Sequence, residues 1–397
     1  MSDVTGTVPV SAGPPAGPQG ATGGGNAVVG YLGGIRDVVV LEMKQRLRSR
    51  GWYIMLGIWF FVIAVVTWLT WLAWNASMEA RRSTMPPSAL SPQDGAGSMI
   101  FEVVLAFVLL FALLVAPALS ANAINGDRAG GTLAILQITL LTPGQILWGK
   151  FCAGWLAALA FLATSAPFLV FGMFQGGLTP GHVVVSLLML AVELAVVCGI
   201  GVGISALAGR PLFSIVVTYL AVAALVVGSL ISFGLGSQLA QGTVLANSPV
   251  GRGVLYAPVQ PNQQGQPLEP AQPAYTCEGP LVEHQAIRTD RMAWMLALNP
   301  YVVVADAIPY PDRNGTGFYS VGMIEGISQG ARSALAGPER TYLCANGVPQ
   351  PQYLKQTTPL WPLGLGLQLV LTALLMWLGW RSLRTPASRL ASGTRIA

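Results

Sequence analysis

Six uninterrupted apolar stretches dominate the chain, at about 52–74, 98–121, 151–172, 183–208, 211–235 and 360–380. Each is long enough to cross roughly 30 Å of hydrocarbon as a helix. The first holds no charged residue and carries Trp52 and Tyr53 at one end with Trp68, Trp71 and Trp74 at the other. That is the distribution of amphipathic rings seated in both headgroup layers. Trp361 and the pair Trp377 and Trp380 bracket the last stretch in the same way. The pattern predicts an all-α polytopic membrane protein with six transmembrane helices.

A seventh apolar run, 292–308, is interrupted by Asn299-Pro300 and Asp306 and flanked by Arg288, Asp290 and Arg291. It reads as a re-entrant or interfacial helix-loop, because broken backbone is tolerated near a membrane where protein covers it. Residues 1–30 are mostly Gly, Pro, Ala, Ser and Thr and cannot bury enough surface to offset ordering entropy, so a disordered tail is expected there. The first stretch then serves as an uncleaved insertion signal. Residues 236–359 form the one large segment outside the apolar stretches, with a Pro/Gln-rich portion at 257–275 expected to be extended and a small irregular cap beyond it.

Composition agrees with lipid as the main solvent. Of 397 residues, 53% are hydrophobic and 9% charged, against about 25% charged in an ordinary soluble domain, and the mean hydropathy is +0.59. A net charge of +5 invites a nucleic-acid reading, but the placement of the charges argues otherwise. With the N-terminus in the cytoplasm, the inner segments hold twelve basic against four acidic residues and the outer segments nine against ten. The positive-inside rule therefore puts both termini in the cytoplasm of a multi-pass protein of the cell membrane, with 236–359 outside and a basic tail at 381–397.

The segment before the first span, 35–51, places Val39, Met43 and Leu47 on one face, with Arg46 and Arg50 intruding. It reads either as a basic helix in the inner headgroup layer or as a stop-transfer flank that orients the span. Between the second and third spans, residues 122–150 form an inner loop much longer than a connection needs. Asp127-Arg128 is followed by the Gly130-Gly131 break, an amphipathic run from Thr132 to Leu141, then Thr142-Pro143 and Lys150. Gly131 allows a sharp bend, Thr132 can cap a short transverse helix, and Pro143 starts the return into the bilayer.

The order Asp127, Arg128, Gly131, Thr132, Leu133, then Thr142-Pro143, then Ile146, Leu147, Gly149 and Lys150 resembles the signature of type-two ATP-binding cassette (ABC) exporter permeases. Asp127 stands where Glu is commoner. The resemblance takes in the basic segment before the first span and Leu298-Asn299-Pro300, and covers most of 35–380. It implies a permease subunit whose inner loop is a coupling helix docked on a separate cytoplasmic ABC ATPase. A second permease copy or related chain would complete the pathway, and ATP and Mg would be bound by the partner ATPase and not by this chain. On that reading the chain makes and breaks no substrate bond. An ion-coupled secondary transporter using Glu193, or a membrane scaffold displaying the outer segment, are the alternatives; no convincing internal repeat supports the former.

Other features carry less. Gly144 to Lys150 fits the phosphate-loop spacing, but Phe151 replaces the Mg-binding Ser or Thr. Gly199-x-x-x-Gly203 lies in a span and reads as a close helix contact. Glu193, mid-span, is either a polar contact or proton site on a transport path or a protonated interhelical hydrogen bond. Glu102, near the outer end of its span, is expected to be hydrated. No metal cluster and no catalytic constellation is visible. Cys152 and Cys198 lie in spans, so Cys277 and Cys344 are the two thiols on the oxidising side and are expected to form a disulfide.

Overall fold

The structure, a computed structural model, describes residues 24–84, 96–131, 141–176, 178–251, 275–310, 322–351, 353–355 and 357–384. Most of the transverse run after Gly131, including Thr132 and Leu133, lies outside these residues. So do the 257–274 portion of the Pro/Gln-rich stretch and the tail beyond Arg384.

Helix α1 (Gly24–Arg48) precedes α2 (Arg50–Thr84), α3 (Ala96–Ser120) and the short α4 (Asn125–Ala129). Helices α5 (Pro143–Phe174) and α6 (Pro180–Leu207) follow. The fifth span runs as α7 (Pro211–Ala223), a π-helical turn (Ala224–Gly228) and α8 (Ser229–Leu239). Strands β1 (Gln241–Gly251) and β2 (Tyr275–Ile287) lead to α9 (Ala293–Ala297), α10 (Pro300–Ala307), α11 (Met323–Ala336) and α12 (Pro338–Thr341), and α13 (Trp361–Leu383) ends the fold. Among the described residues six helical segments are long and apolar enough to cross a membrane, and they coincide with the six stretches read from sequence.

The core lies among α3, α5 and α6, where Ile100, Leu105, Leu109, Leu169 and Leu190 are fully buried. Helix α2 packs on the rim. Its Trp59 stacks on Phe111 with centroids 3.6 Å apart and donates to Ser165 Oγ at 3.0 Å, while Tyr53, Ile58 and Phe61 face outward. An indole buried this way keeps its N–H paired, which the apolar surroundings require. The glycines of α6 do what their spacing suggested. A Cβ on Gly203 would come within 2.8 Å of the Leu375 backbone, and one on Gly199 would collide with Thr372, so the Gly face seats α13 directly.

Four expectations need correction. The region 1–30 is not wholly without structure, since α1 begins at Gly24. Tertiary contact supplies what propensity does not: the Gly30 and Tyr31 carbonyls accept from Gln145 Nε2 at 3.5 and 3.1 Å. The face of α1 is also turned from the expected one. Val38 is buried and Leu47 is 47% exposed, because Glu42 and Arg46, four and eight residues beyond Val38, take the inward face. The helix ends at Arg48, with Ser49 breaking it from α2.

Third, the cap is not irregular throughout. Strands β1 and β2 pair antiparallel, from Gln241 opposite Ile287 to Gly251 opposite Tyr275, with a bulge between Ala246 and Ser248. Two strands alone are marginal, and three ties hold these to residues 342–350. Cys277 is disulfide-bonded to Cys344, Ala246 bridges Ala345, and the Tyr275 hydroxyl shares its one proton between the Leu343 and Gln350 carbonyls, 2.9 and 2.8 Å away. Fourth, Glu102 is buried, not hydrated. It sits against Gly322 and its Oε2 accepts from Ile324 N at 3.0 Å, so a carboxylate from α3 occupies the N-terminus of α11.

The run at 292–308 forms two short helices broken at Asn299-Pro300. Asn299 Oδ1 caps α10 through Tyr301 N at 2.9 Å. At the end of α10, Asp306 is fully buried. It accepts from Arg332 Nε at 3.2 Å and from the Trp361 amide at 3.1 Å, which anchors the start of α13.

Candidate functional site

The residues singled out around the inner loop converge at the end of the bundle that holds α1. Lys150, 5% exposed, forms ion pairs with both Glu42 of α1 and Asp127 of α4. Three elements distant in sequence thus share one buried cation. Arg128 turns the other way. Its Nη1 donates to the Ala208 carbonyl at 2.9 Å and to Asn125 Oδ1 at 3.4 Å, so it holds an end carbonyl of α6 where the helix dipole favours a cation. Ser205 Oγ of the same helix accepts from Ile124 N and Asn125 N at 3.1 and 3.2 Å.

Gly131 has a φ of 73°, the left-handed conformation that glycine adopts without a Cβ penalty. The chain therefore leaves the clamp at a fixed bend. It returns at Thr142, which caps α5: the Thr142 amide donates to Gln145 Oε1 at 2.7 Å, Gln145 N donates to Thr142 Oγ1 at 3.4 Å, and Pro143 occupies the first helical position. Helix α1 lies close against this start. A Cβ on Gly149 would approach Val38 Cβ at 2.6 Å, and one on Gly144 would approach the Tyr31 hydroxyl at 2.6 Å. Gly149 thus allows the contact, and Lys150 beside it fixes the contact by charge.

Gly144 to Lys150 is the opening of a continuous helix, with the amides from Ile146 onward committed along the helix axis and the Lys150 ammonium committed to two carboxylates. That geometry is not a phosphate-cradling loop. Glu193 lies elsewhere, 1% exposed on α6 beside Gln368 of α13. Among the described residues neither of its oxygens has a hydrogen bond of ordinary geometry. Glu102 of α3 lies at the opposite end, against the N-terminus of α11. The inner loop, Glu193 and Glu102 are therefore three separate places.

Sequence reasoning missed Glu42, Arg46, Gln145 and Ser205. Arg46 Nη2 donates to the Leu119 carbonyl at 3.3 Å, which ties α1 to α3. Thr142-x-x-Gln145 was readable as a capping box. Glu42 carried only a weak signal, its position four residues from both Val38 and Arg46.

A family model of ABC-2 family transporter proteins matches residues 37–375. The chain belongs to the ABC-2 transporter family. The match runs from α1 to α13 and takes in every element of the clamp. No curated protein matches the chain significantly. With its six apolar helices, this ABC-2 family member is a multi-pass membrane protein of the kind that forms the permease of an ABC transporter.

Proposed function

We propose that the chain is the membrane-spanning subunit of an ATP-driven exporter, coupled through 132–141 to a separate cytoplasmic ABC ATPase and paired with a second permease subunit. The observation that supports this most is the double clamp on that segment. Its first end is held by Asp127 and Arg128, its second by the Thr142–Gln145 box, and Lys150 ties both to α1. A displacement applied between the clamps is passed to α3, α5 and α6 together, because a buried ion network and close-packed helices transmit strain instead of absorbing it. Asp127, Arg128, Thr142, Pro143 and Lys150 act as positioning residues, and Gly131, Thr132 and Leu133 begin the docking segment itself.

The ATPase, with its ATP and Mg, lies on the side of both chain termini, at the cell membrane's cytoplasmic face. Leu133→Glu leaves every clamp residue in place. It is expected to insert normally while co-purification with the ATPase and substrate-stimulated hydrolysis both fall. Unchanged recovery and unchanged hydrolysis would refute the assignment. Topology is checked separately by cysteine labelling in intact cells: Ser388→Cys should resist a membrane-impermeant probe.

A further inference from the structure

A cleft of about 660 Å³ opens between α5, α6 and α13, walled chiefly by Trp148, Phe151, Trp155, Met376, Trp377 and Trp380. Its volume is in the roughly 300–1,000 Å³ range of pockets that enclose a small ligand. Among the described residues the lining is almost wholly apolar and carries no acidic side chain. The hydroxyl in the wall between the spans, Thr372 Oγ1, is already satisfied by the Gln368 carbonyl at 2.9 Å. The cleft therefore offers hydrocarbon contact and makes no polar demand along its length.

The chemistry changes at the mouth, beside the N-terminus of α5. The Tyr31 hydroxyl and Trp380 Nε1 converge on Gly144, where a Cβ would stand 2.6 and 3.5 Å from them. Two guanidinium groups stack on the tryptophans that form the rim. Arg384 Cζ lies 3.4 Å from the Trp380 ring centroid and Arg381 Cζ lies 5.5 Å from that of Trp377. Both arginines are exposed. Stacking orients each guanidinium without using its N–H donors, which stay available to phosphate oxygens.

We infer that this cleft binds an anionic phospholipid of the surrounding bilayer, one acyl chain against the aromatic wall and the phosphate at Arg381 and Arg384. Charge decides the occupant. A second copy docked by two-fold symmetry would bring the same two arginines face to face with themselves, whereas a lipid headgroup at the end of a spanning helix supplies the missing anion. The two basic groups favour an anionic over a zwitterionic lipid by roughly thirtyfold.

The full-length chain in detergent, mixed with equal amounts of palmitoyl-oleoyl phosphatidylglycerol and palmitoyl-oleoyl phosphatidylcholine, is examined by native mass spectrometry. Phosphatidylglycerol should be retained about thirtyfold more. Arg381→Gln with Arg384→Gln should bring the ratio near one, and Ala373→Trp, which fills the cleft, should lower retention of both lipids. Ala195→Phe replaces Ala373→Trp if the latter does not elute as a single species. An excess of glycerol phosphate should fail to displace the lipid, because the acyl chain supplies most of the contact. Equal retention by the unaltered chain, a ratio unmoved in the arginine variant, retention unmoved by filling the cleft, or displacement by glycerol phosphate would each overturn the assignment. So would efficient crosslinking between copies through Trp377→Cys in membranes. None of these measurements involves the ATPase, so their outcome is independent of the coupling assignment.

Discussion

Asn299, at the break between α9 and α10, donates from Nδ2 to the Val226 carbonyl of the fifth span at 2.8 Å. Val226 lies within the π-helical turn Ala224–Gly228, where the regular helical ladder is interrupted. The same amide reaches Ser229 Oγ at 3.1 Å, and Asn299 Oδ1 caps α10. One side chain thus joins the irregular turn of the fifth span to the broken helix beside it.

Asn299→Ala removes three hydrogen bonds from a 2% exposed position and is expected to cost about 3 kcal/mol. Asn299→Asp keeps the cap but sets a carboxylate oxygen against the Val226 carbonyl at a buried position, so it should cost at least as much. Unfolding of the purified chain in mixed micelles, followed by tryptophan fluorescence, would rank the three. An Asn299→Asp variant as stable as the parent would remove the Val226 contact from the account.

Lys150→Met leaves the carboxylates of Glu42 and Asp127 facing each other without their shared cation. Both acids retain some solvent, 18% and 23%, so a loss of about 3 kcal/mol is expected, at the low end for a broken buried pair. Adding Glu42→Gln and Asp127→Asn should recover most of it. The same unfolding assay reads both steps, and failure of the neutral triple variant to recover would show that Lys150 acts by packing.

Gly149→Ala places a methyl against Val38 and should separate α1 from α5, at a cost of about 1–3 kcal/mol. Limited proteolysis near Ser49 should quicken. Val38→Ala in the same chain should restore much of the resistance, and unaltered cleavage of Gly149→Ala would argue against the close contact.

Replacing Cys277 and Cys344 by Ser opens a loop spanning 67 residues. In the chain-entropy treatment that costs about 4 kcal/mol, and the loss should be confined to the hairpin region. Hydrogen exchange would test this: faster exchange across β1 and β2 with unchanged exchange in α5 and α6 is expected, and uniform change is the contrary outcome.

Outside the spans, the hydrogen bond from Arg288, with its charge, holds the Asp290 carboxyl below its usual 3.8. A depressed folded value stabilises above the unfolded value and is lost as pH falls through the folded one. The contribution should be constant from pH 7 to 5 and decline below about pH 4. Arg288→Gln should raise the titration of Asp290, read by carboxyl chemical shifts on labelled protein, and an unmoved midpoint would exclude the pair as its cause.

The six spans were legible because crossing hydrocarbon needs length and apolarity, both of which are linear properties of sequence. Leu298-Asn299-Pro300 was legible as a break for the same reason that Pro ends a helix. The hairpin was not. Asn247 and Pro249 in β1 and Gly279-Pro280 in β2 speak against strands, and what holds them is remote: the Cys344 bridge and the carbonyls that Tyr275 reaches at 343 and 350. Glu102 was misjudged because depth in a span says nothing of a helix N-terminus arriving 222 positions later. In the loop, the motif marked Asp127 and Lys150, but Glu42 became recognisable only when α1 was seen against Gly149.

The shared cation also sets an order of manufacture. Glu42 leaves the ribosome 108 residues before Lys150, on the order of 10 s at usual rates of synthesis. Throughout that interval its charge must remain in water, so α1 cannot dock while the first two spans stand alone. Insertion of the third span delivers the neutralising ammonium and Gly149 together. The α1–α5 clamp thus becomes an assembly checkpoint: a nascent chain arrested before Lys150 should leave α1 open to protease, and one arrested well beyond it should protect the helix.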